Sequence, residues 1–309
     1  MPTPFHLIYN GTDIIDRVSI NACVHESFTT GESDRLDMRF NDPTQLWHSW
    51  KPSQGDTIEL KYGTFTSGKM FVWKVSPTNG LMSIGALALP LSFENPNHRS
   101  WNGITLLTLA KEIAAQHGLG LVSYGVEDQT YNYLKQDGES DLLFLSRRCM
   151  LEGLGLLVYN GNVVIYDELF MESKPATSGL YIGIDGCYEP HDYTSLSYGS
   201  AEVVSGAYKG VYHDFSGNQA RVLKPTAPIF CMSNAEACRY ARGILRYKNK
   251  ECNTASAYKH IILEYAAGSK LNLKIEKAPE WNVPVYIPHM RTDFVARYSK
   301  LFFRKCLGW

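Results

Sequence analysis

His191-Asp192 and His213-Asp214 are the two places where side chains able to hold a metal or move a proton stand side by side. A metal-dependent phosphohydrolase would use such a pair together with further His and Asp ligands on neighbouring elements. Both pairs lie in strand-like sequence without a third ligand motif, so they read as polar residues at strand ends. The cysteines, Cys23, Cys149, Cys187, Cys231, Cys238, Cys252 and Cys306, are odd in number and contain no C-x-x-C spacing. That argues against a disulfide framework and against a zinc knuckle. A cysteine nucleophile needs a nearby histidine and a positive environment to lower its pKa. Cys149 and Cys238 fall inside helical patterns and Cys306 in a terminal strand, so the cysteines read as small buried hydrophobes. A glycosidase needs two carboxylates across a cleft. Glu152 stands at a helix end before glycines, where helix-end charge is the plainer reading. Gly118-Leu-Gly120 and Gly153-Leu-Gly155 each follow a helix instead of opening one, unlike a dinucleotide fingerprint, and no P-loop is present. No catalytic residue, metal ligand or cofactor site emerges, and neither an enzyme nor a bound cofactor is expected. Arg239, Arg242 and Arg246 share one helical face, with Lys250 beyond. They form a basic stripe that would suit a nucleic-acid backbone or an acidic partner, with a solvated helix face as the plainer reading.

The elements around these residues decide what they can do. At 309 residues the chain has room for about two domains. Hydrophobic residues make up 44% and charged residues 20%, as in ordinary globular proteins, which excludes a disordered chain. Thirty Lys+Arg against 31 Asp+Glu give a net charge of −1, without the basic excess of a phosphate-neutralising nucleic-acid binder. Apolar runs fall far short of the ~20 residues that cross a bilayer. The opening Met1-Pro-Thr-Pro-Phe-His lacks the charged and apolar regions of a signal peptide, so synthesis and folding in the cytoplasm are expected. The abundance of Tyr and Trp suits half-buried strands and interfaces.

Residues 1–95 read as β structure. Val18-Ser-Ile-Asn-Ala-Cys-Val alternates, and Arg35-Leu-Asp-Met-Arg-Phe places Leu36, Met38 and Phe40 on one face. Asp42-Pro43 ends that strand, and Trp47 to Asp56 reads as a breaker-rich loop. Strands are expected at residues 57–62, 69–76 and 81–89, with Thr78-Asn79-Gly80 turning the last two into a hairpin. The period changes near Trp101. Residues 105–117 put Leu106, Leu109, Ala110 and Ile113 on one helical face, ended by Gly118. A second helix is expected from Ser140, at the N-cap, to Glu152, with Asp141 at its positive end. Asn160-Gly161 between residues 154–159 and 163–166 is a strong hairpin signal. Residues 172–178 read as a linker. Period-2 patterns return at 193–198, 203–212, 259–265, 270–275, 283–287 and 299–306. One helix interrupts them at 233–248, opened by the capping box Ser233-Asn-Ala-Glu236, with Ala237, Ala241, Ile244 and Leu245 as its apolar face.

The two β regions resemble each other. Gly55-Asp-Thr-Ile-Glu-Leu-Lys matches Gly268-Ser-Lys-Leu-Asn-Leu-Lys in spacing and polarity, and Val72-Trp-Lys-Val matches Val285-Tyr-Ile-Pro at the same offset. The expected fold is mainly β with an α/β insertion: a first β-barrel domain at 1–95, an α/β middle domain at 96–172, and a second β-barrel domain with one helix at 173–309.

The order of motifs resembles the baseplate-hub family of contractile tails, the phage late-control protein D group, also found in R-type bacteriocins (tailocins). The resemblance rests on Gly31-Glu-Ser-Asp-Arg-Leu-Asp-Met-Arg-Phe-Asn-Asp, Trp50-Lys-Pro-Ser-Gln-Gly-Asp and Arg99-Ser-Trp-Asn-Gly-Ile-Thr-Leu. It continues through Gln136-Asp-Gly-Glu-Ser-Asp-Leu-Leu-Phe-Leu-Ser-Arg and Tyr298-Ser-Lys-Leu-Phe-Phe-Arg-Lys-Cys, and so covers most of the chain. Physically these motifs read as structural. Pro52 and Gly55 fix a turn whose amides Asp56 can satisfy. Trp101 opens the middle module. Gln136 to Asp141 begin a helix that sends Leu142, Phe144 and Leu145 into the core. The resemblance implies two tube-type β-barrel domains per chain and a homotrimer of pseudo-six-fold symmetry, an adaptor between a six-fold tail tube and a three-fold spike. It implies a tube or tube-initiator protein, a spike protein, and baseplate wedge proteins or the tape measure as partners. It also implies assembly into the baseplate of a phage or bacteriocin particle after synthesis in the bacterial cytoplasm. The sequence stops at Trp309, directly after the last expected barrel strand, so the added spike or enzymatic domains of larger relatives are not expected here. A receptor- or glycan-binding tail module and a tail-associated cell-wall hydrolase are the alternatives.

Overall fold

Alternating apolar and polar residues become paired strands along most of the chain. The computed structural model describes residues 5–29, 31–176 and 178–309. Residues 1–4, part of the stretch read for a signal peptide, and Thr177 of the expected linker lie outside the described residues. The first β unit comprises β1 (Phe5–Tyr9), β2 (Thr12–Asp13), β3 (Ser19–Phe28), β4 (Arg35–Asn41), β5 (Thr57–Tyr62), β6 (Phe65–Thr66), β7 (Met70–Thr78) and β8 (Leu81–Leu87). In β4 the expected alternation holds residue by residue: Leu36, Met38 and Phe40 are buried while Arg35, Asp37 and Arg39 face out. The loop expected after it instead carries a short helix, α1 (Leu46–Trp50). Its organiser is Trp47, fully buried with its ring 4.6 Å from Phe40 and 5.4 Å from Tyr9. Burying one indole is worth a few kcal/mol, enough to order a single turn despite the flanking Ser, Pro and Gly.

The middle module comprises β9 (Pro96–Thr105), α2 (Leu106–Gln116), β10 (Gly120–Tyr124), β11 (Thr130–Ser140), α3 (Asp141–Glu152), β12 (Leu154–Tyr159), β13 (Asn162–Asp167) and α4 (Glu168–Ser173). Thr105 caps α2 and Ser140 caps α3, each side chain accepting an amide three residues on. Asn160 and Gly161 both take positive φ, 46° and 73°, closing the β12–β13 hairpin as expected. Three expectations change here. The long antiparallel pair β9–β11 has no period-2 apolar signal, because most of its side chains are exposed or half-buried and its ladder bonds hold it. Gln136 to Glu139 therefore lie in β11, and the helix begins only at Asp141. Within that helix Phe144 and Leu145 enter the core, while Leu142 is only half-buried. The expected linker at 172–178 begins inside α4, where Glu172 is buried in an ion-pair cluster.

The second β unit comprises β14 (Gly179–Ile182), β15 (Tyr188–Asp192), β19 (Asn253–His260), β20 (Lys270–Ile275), β21 (Pro284–Asp293) and β22 (Tyr298–Lys305). Between β15 and β19 stand β16 (Ser200–Ser205), β17 (Tyr208–His213), β18 (Val222–Leu223) and helix α5 (Asn234–Asn249). Ser233 caps α5 by accepting the Glu236 amide, and Glu236 reaches back to the Met232 amide at 2.7 Å. The expected strand at 193–198 is a 3-10 turn, because Asp192 accepts the Thr194 amide at 2.8 Å in an Asx turn. The expected strand at 203–212 is a hairpin turning at Gly206, φ +59°. The expected strand at 259–265 is displaced: β19 ends at His260, and Ile262 and Tyr265 pack onto the core from a loop.

One 14-stranded sheet runs β15-β19-β22-β21-β3-β4-β8-β7-β5-β1-β2, with β14, β20 and β6 attached beside it. Separate small sheets are β10-β13-β12, β9-β11 and β17-β16-β18. The first unit, the middle module and α5 share one apolar core, and the second unit has its own around Leu271, Trp281 and Phe303. Helix α5 lies against α3 through Gly243, where a Cβ would sit 2.2 Å from the Leu151 carbonyl oxygen. The chain is thus mainly β with helices gathered in its middle.

Candidate functional site

The sheet's central feature is a seam where the two β units meet. Strand β21 pairs antiparallel with β3, from His289 opposite Phe28 to Asp293 opposite Val24. Main-chain bonds continue past both ends, from Thr29 N to Pro288 O and from Phe294 N to Cys23 O, each 2.9 Å. The His289 ring is sandwiched between Phe28 (4.4 Å, 12°) and Phe302 (4.3 Å, 10°). Glu26, buried beside them, accepts hydrogen bonds from Arg35 and from Arg291 (3.0 Å). Burial pushes the His25 imidazole down to about 4, against the pull of Glu26. His289 is likewise held at about 4, by burial first, with Arg35, Arg291 and Lys300 adding to it and Glu26 opposing. The seam is therefore built with neutral imidazoles.

The two units repeat one strand order. β3-β4-β8-β7-β5 corresponds to β15-β19-β22-β21-β20, and the chain visits corresponding strands in the same sequence. Gly55 and Gly268 open corresponding strands with φ of +89° and +96°, where a side chain would be strained. Gly55 N donates to Val72 O and Val72 N to Asp56 O, both 2.8 Å. Gly268 N donates to Ile287 O and Ile287 N to Ser269 O, both 2.9 Å. The sequence comparison paired Val72 with Val285; the bonds pair it with Ile287, because the second connection is two residues longer. Each strand then bulges at the matching place, β7 between Val72 and Lys74 and β21 between Tyr286 and His289.

Counting from these anchors, Lys74 to Thr78 corresponds to the part of β21 that pairs with β3. Glu189 to Tyr193 corresponds to the part of β3 that pairs with β21. Among the described residues no strand pairs with either of these edges. Trp73 and Tyr193, 39% and 51% exposed, mark their ends. Pro77 and Pro190 fall at the position matching the pair Thr292–His25, and each removes an outward amide from its edge. Prolines so placed blunt an edge against indiscriminate pairing.

The residues singled out in the sequence mostly brace this frame. Trp50 packs its ring 5.1 Å from Trp47, with Arg17 4.8 Å above it. After Pro52 and the turn at Gly55, Asp56 accepts from the Ser53 amide (2.8 Å), Asn10 (3.1 Å) and the Tyr9 hydroxyl. Burial raises the Asp56 carboxyl, but these donors outweigh it and hold it low. Trp101 stacks on Phe144 at 5.6 Å and donates to Glu112. Asn160 and Gly161 bring the hairpin tip against Gly68 of the first unit, where a Cβ would lie 2.8 Å from Asn160 Cα.

Asp141 is fully buried and accepts from Arg99, His117 (2.7 Å), Gln136 (2.8 Å) and Asn97 (3.2 Å). His117 Nδ1 also meets Ser92 Oγ at 2.8 Å, so Ser92, His117 and Asp141 form a chain that sequence reasoning missed. Such residues serve nucleophilic catalysis only beside oxyanion donors and a substrate cleft. Here Asp141 is tied by Arg99 and three further donors at the N-terminus of α3. The chain clamps α2, α3, β9 and β11 together.

The basic stripe on α5 is not a free face. Arg239 pairs with Glu152 at 3.0 Å and Arg242 lies half-buried over Tyr212. Arg246 is buried: it pairs with Glu168 (3.1 Å) and Glu172 and donates to the Trp309 carbonyl. Arg304 and Lys250 complete that cluster, Lys250 reaching Glu168 at 2.6 Å. It fastens α4, α5 and β22 to one another. The turn of the helix at Arg246 faces the ion cluster, which helical spacing alone does not reveal. Among the described residues no group of three or more His, Cys, Asp or Glu stands close enough to hold a metal, and no helix is long and apolar enough to cross a membrane.

No protein-family model matches the chain, and no curated protein matches it by sequence. Solved structures do. The tail protein from Neisseria meningitidis MC58 superposes with a TM-score of 0.76 at 14% identity, over 100% of this chain and 98% of that one. The 43 kDa tail protein of prophage MuSo2 from Shewanella oneidensis gives 0.74 at 13%, over 97% of each chain. The E. coli protein c3393, a type VI secretion component described as similar to the T4 tail proteins gp27 and gp5, gives 0.61 at 14%, over 96% of this chain and 75% of that one. From end to end the chain has the fold of these phage tail and secretion-system proteins.

Proposed function

We propose that the chain is the structural hub of a contractile tail baseplate, of a phage or an R-type bacteriocin. Three copies close a ring of six similar β units that adapts a six-fold tube to a three-fold spike. The observation that carries this reading is the repeated frame with its seam used once. Within the chain, β21 of the second unit meets β3 of the first. The matching edges, Lys74 to Thr78 of β7 in the first unit and Glu189 to Tyr193 at β15 in the second, have no strand on their outer side among the described residues. Joining β7 of one copy to β15 of the next repeats the internal seam as a heterologous contact. A three-fold rotation closes it into a ring in which neither of these two edges is left over. Lys74 would then lie opposite Tyr193, as His289 lies opposite Phe28.

In this reading residues 1–95 and 173–309 supply the ring units, with 96–172 as a middle domain outside them. The partners are the tube or tube-initiator protein on one side and the spike on the other, with wedge proteins or the tape measure at the rim. The chain works by assembly and has no catalysis of its own. The fold shared with phage tail proteins supports a tail role. The test is native mass spectrometry of the purified chain, alone and with its tube and spike partners. A trimer that is lost on Tyr193→Ala and Lys74→Glu supports the hub. A monomer under all these conditions, or a trimer indifferent to both substitutions, refutes it.

A further inference from the structure

A cleft of 830 Å3 opens between α3, β11 and residues 223–230, on the way from β18 to α5. Arg148 of α3 lines it with only 8% of its surface exposed. Its Nε has no hydrogen-bond partner, and its guanidinium makes no ion pair among the described residues; its neighbour is the Phe144 ring, 5.8 Å away. An arginine so nearly buried, with an unpartnered Nε and no anion beside it, favours an anionic guest in the cleft. The other cations differ. Lys135, Arg147 and Lys224 are held at the rim by Asp137, Glu139 and Glu202. Lys248 makes no such pair among the described residues and lies over Tyr247. The carboxylate in the lining, Glu236, is already engaged by Tyr240 (2.6 Å) and the Met232 amide.

Around this charge the wall is apolar. Phe230 is 61% exposed and Tyr133 40%, and exposed Val222 and Met232 carry the apolar surface beyond the cleft. An apolar surface spilling out of a pocket marks a contact with a macromolecule more than an enclosed metabolite site. We propose that this cleft seats an acidic peptide segment of a partner protein. One carboxylate of the segment meets Arg148 and Lys248, and its flanking apolar side chains lie on Phe230 and Tyr133. The inference does not rest on ring formation.

The test uses the full chain and a short fluorescent peptide in which glutamate alternates with phenylalanine and leucine. Its lysine-for-glutamate counterpart is the control, with citrate and inorganic phosphate as competitors. Fluorescence anisotropy is expected to show binding of the acidic peptide alone. Binding should weaken about tenfold on Arg148→Met and on Lys248→Glu, and with added salt. Phe230→Ala, at an exposed position, should weaken it as well, and with Lys248→Glu keeps the test decisive if Arg148→Met does not fold. The proposal is overturned if the acidic peptide does not bind, or if Lys248→Glu and Phe230→Ala leave its affinity unchanged. Displacement by citrate or phosphate at the peptide's own concentration overturns it too, in favour of a small-anion site.

Discussion

Replacing Glu168 by Gln tests the buried cluster that fastens α4, α5 and β22. Glu168 is almost wholly buried, with Lys250 at 2.6 Å, Arg246 at 3.1 Å and Arg304 at 3.5 Å. Burial alone would raise its carboxyl, but the three cations outweigh that and hold it at about 2, against an ordinary 4.5. That gap is worth ~3 kcal/mol of preference for the charged form in the folded state. The amide has nearly the same shape but no charge, so Glu168→Gln is expected to cost about 3 kcal/mol at pH 7, in the range for breaking a buried pair. Urea denaturation at several pH values reads the effect. Because the folded carboxyl lies below its unfolded value, its contribution is complete above pH 4.5 and disappears as the pH falls toward 2. The gap between wild type and variant should therefore close over that window. A gap under about 1 kcal/mol at pH 7, or one of constant size down to pH 2, refutes the assignment.

Three further outcomes follow from the geometry. Asp141→Asn should lower stability by about 2–4 kcal/mol, because it removes a fully buried carboxylate from the half-buried Arg99 and His117 donors, whereas Ser92→Ala should change it by less than about 0.5 kcal/mol. Thermal unfolding compares them, and a larger loss from Ser92→Ala would contradict the clamp. Gly243→Ala would ordinarily strengthen a helix by ~1 kcal/mol, but with a Cβ only 2.2 Å from Leu151 O it should weaken the protein instead. A higher melting temperature would count against that close contact. His25 is neutral when folded and held at about 4, below its ordinary 6.5, so its contribution is present above pH 6.5 and is lost as the pH falls toward 4. Denaturation of wild type should show a loss of up to ~3 kcal/mol over that window, smaller in His25→Gln; an identical profile in both would dissociate the effect from His25.

Local rules made much of the chain legible. Strict alternation in Arg35 to Phe40, the Ser140 cap, the Asn160-Gly161 turn and the Ser233 cap each act within a few residues, so their sequence determines their outcome. The likeness between Gly55 to Lys61 and Gly268 to Lys274 was readable for the same reason: left-handed glycines and inward apolar residues at the same spacing fit the same local bonds. Tertiary structure decided the rest. Helix α1 exists because Trp47 finds Phe40 and Tyr9 across the chain. The pair β9–β11 carries no apolar rhythm, since ladder bonds and not burial define it. Arg246 and Glu172 looked solvated in sequence, yet each is buried because charges from α4, α5 and β22 converge and compensate one another. The seam of β21 on β3 joins residues some 265 positions apart, as between Glu26 and Arg291, and no local pattern encodes that meeting. Spacing along the chain specifies which face a side chain takes, but which charges meet on that face depends on how distant elements pack.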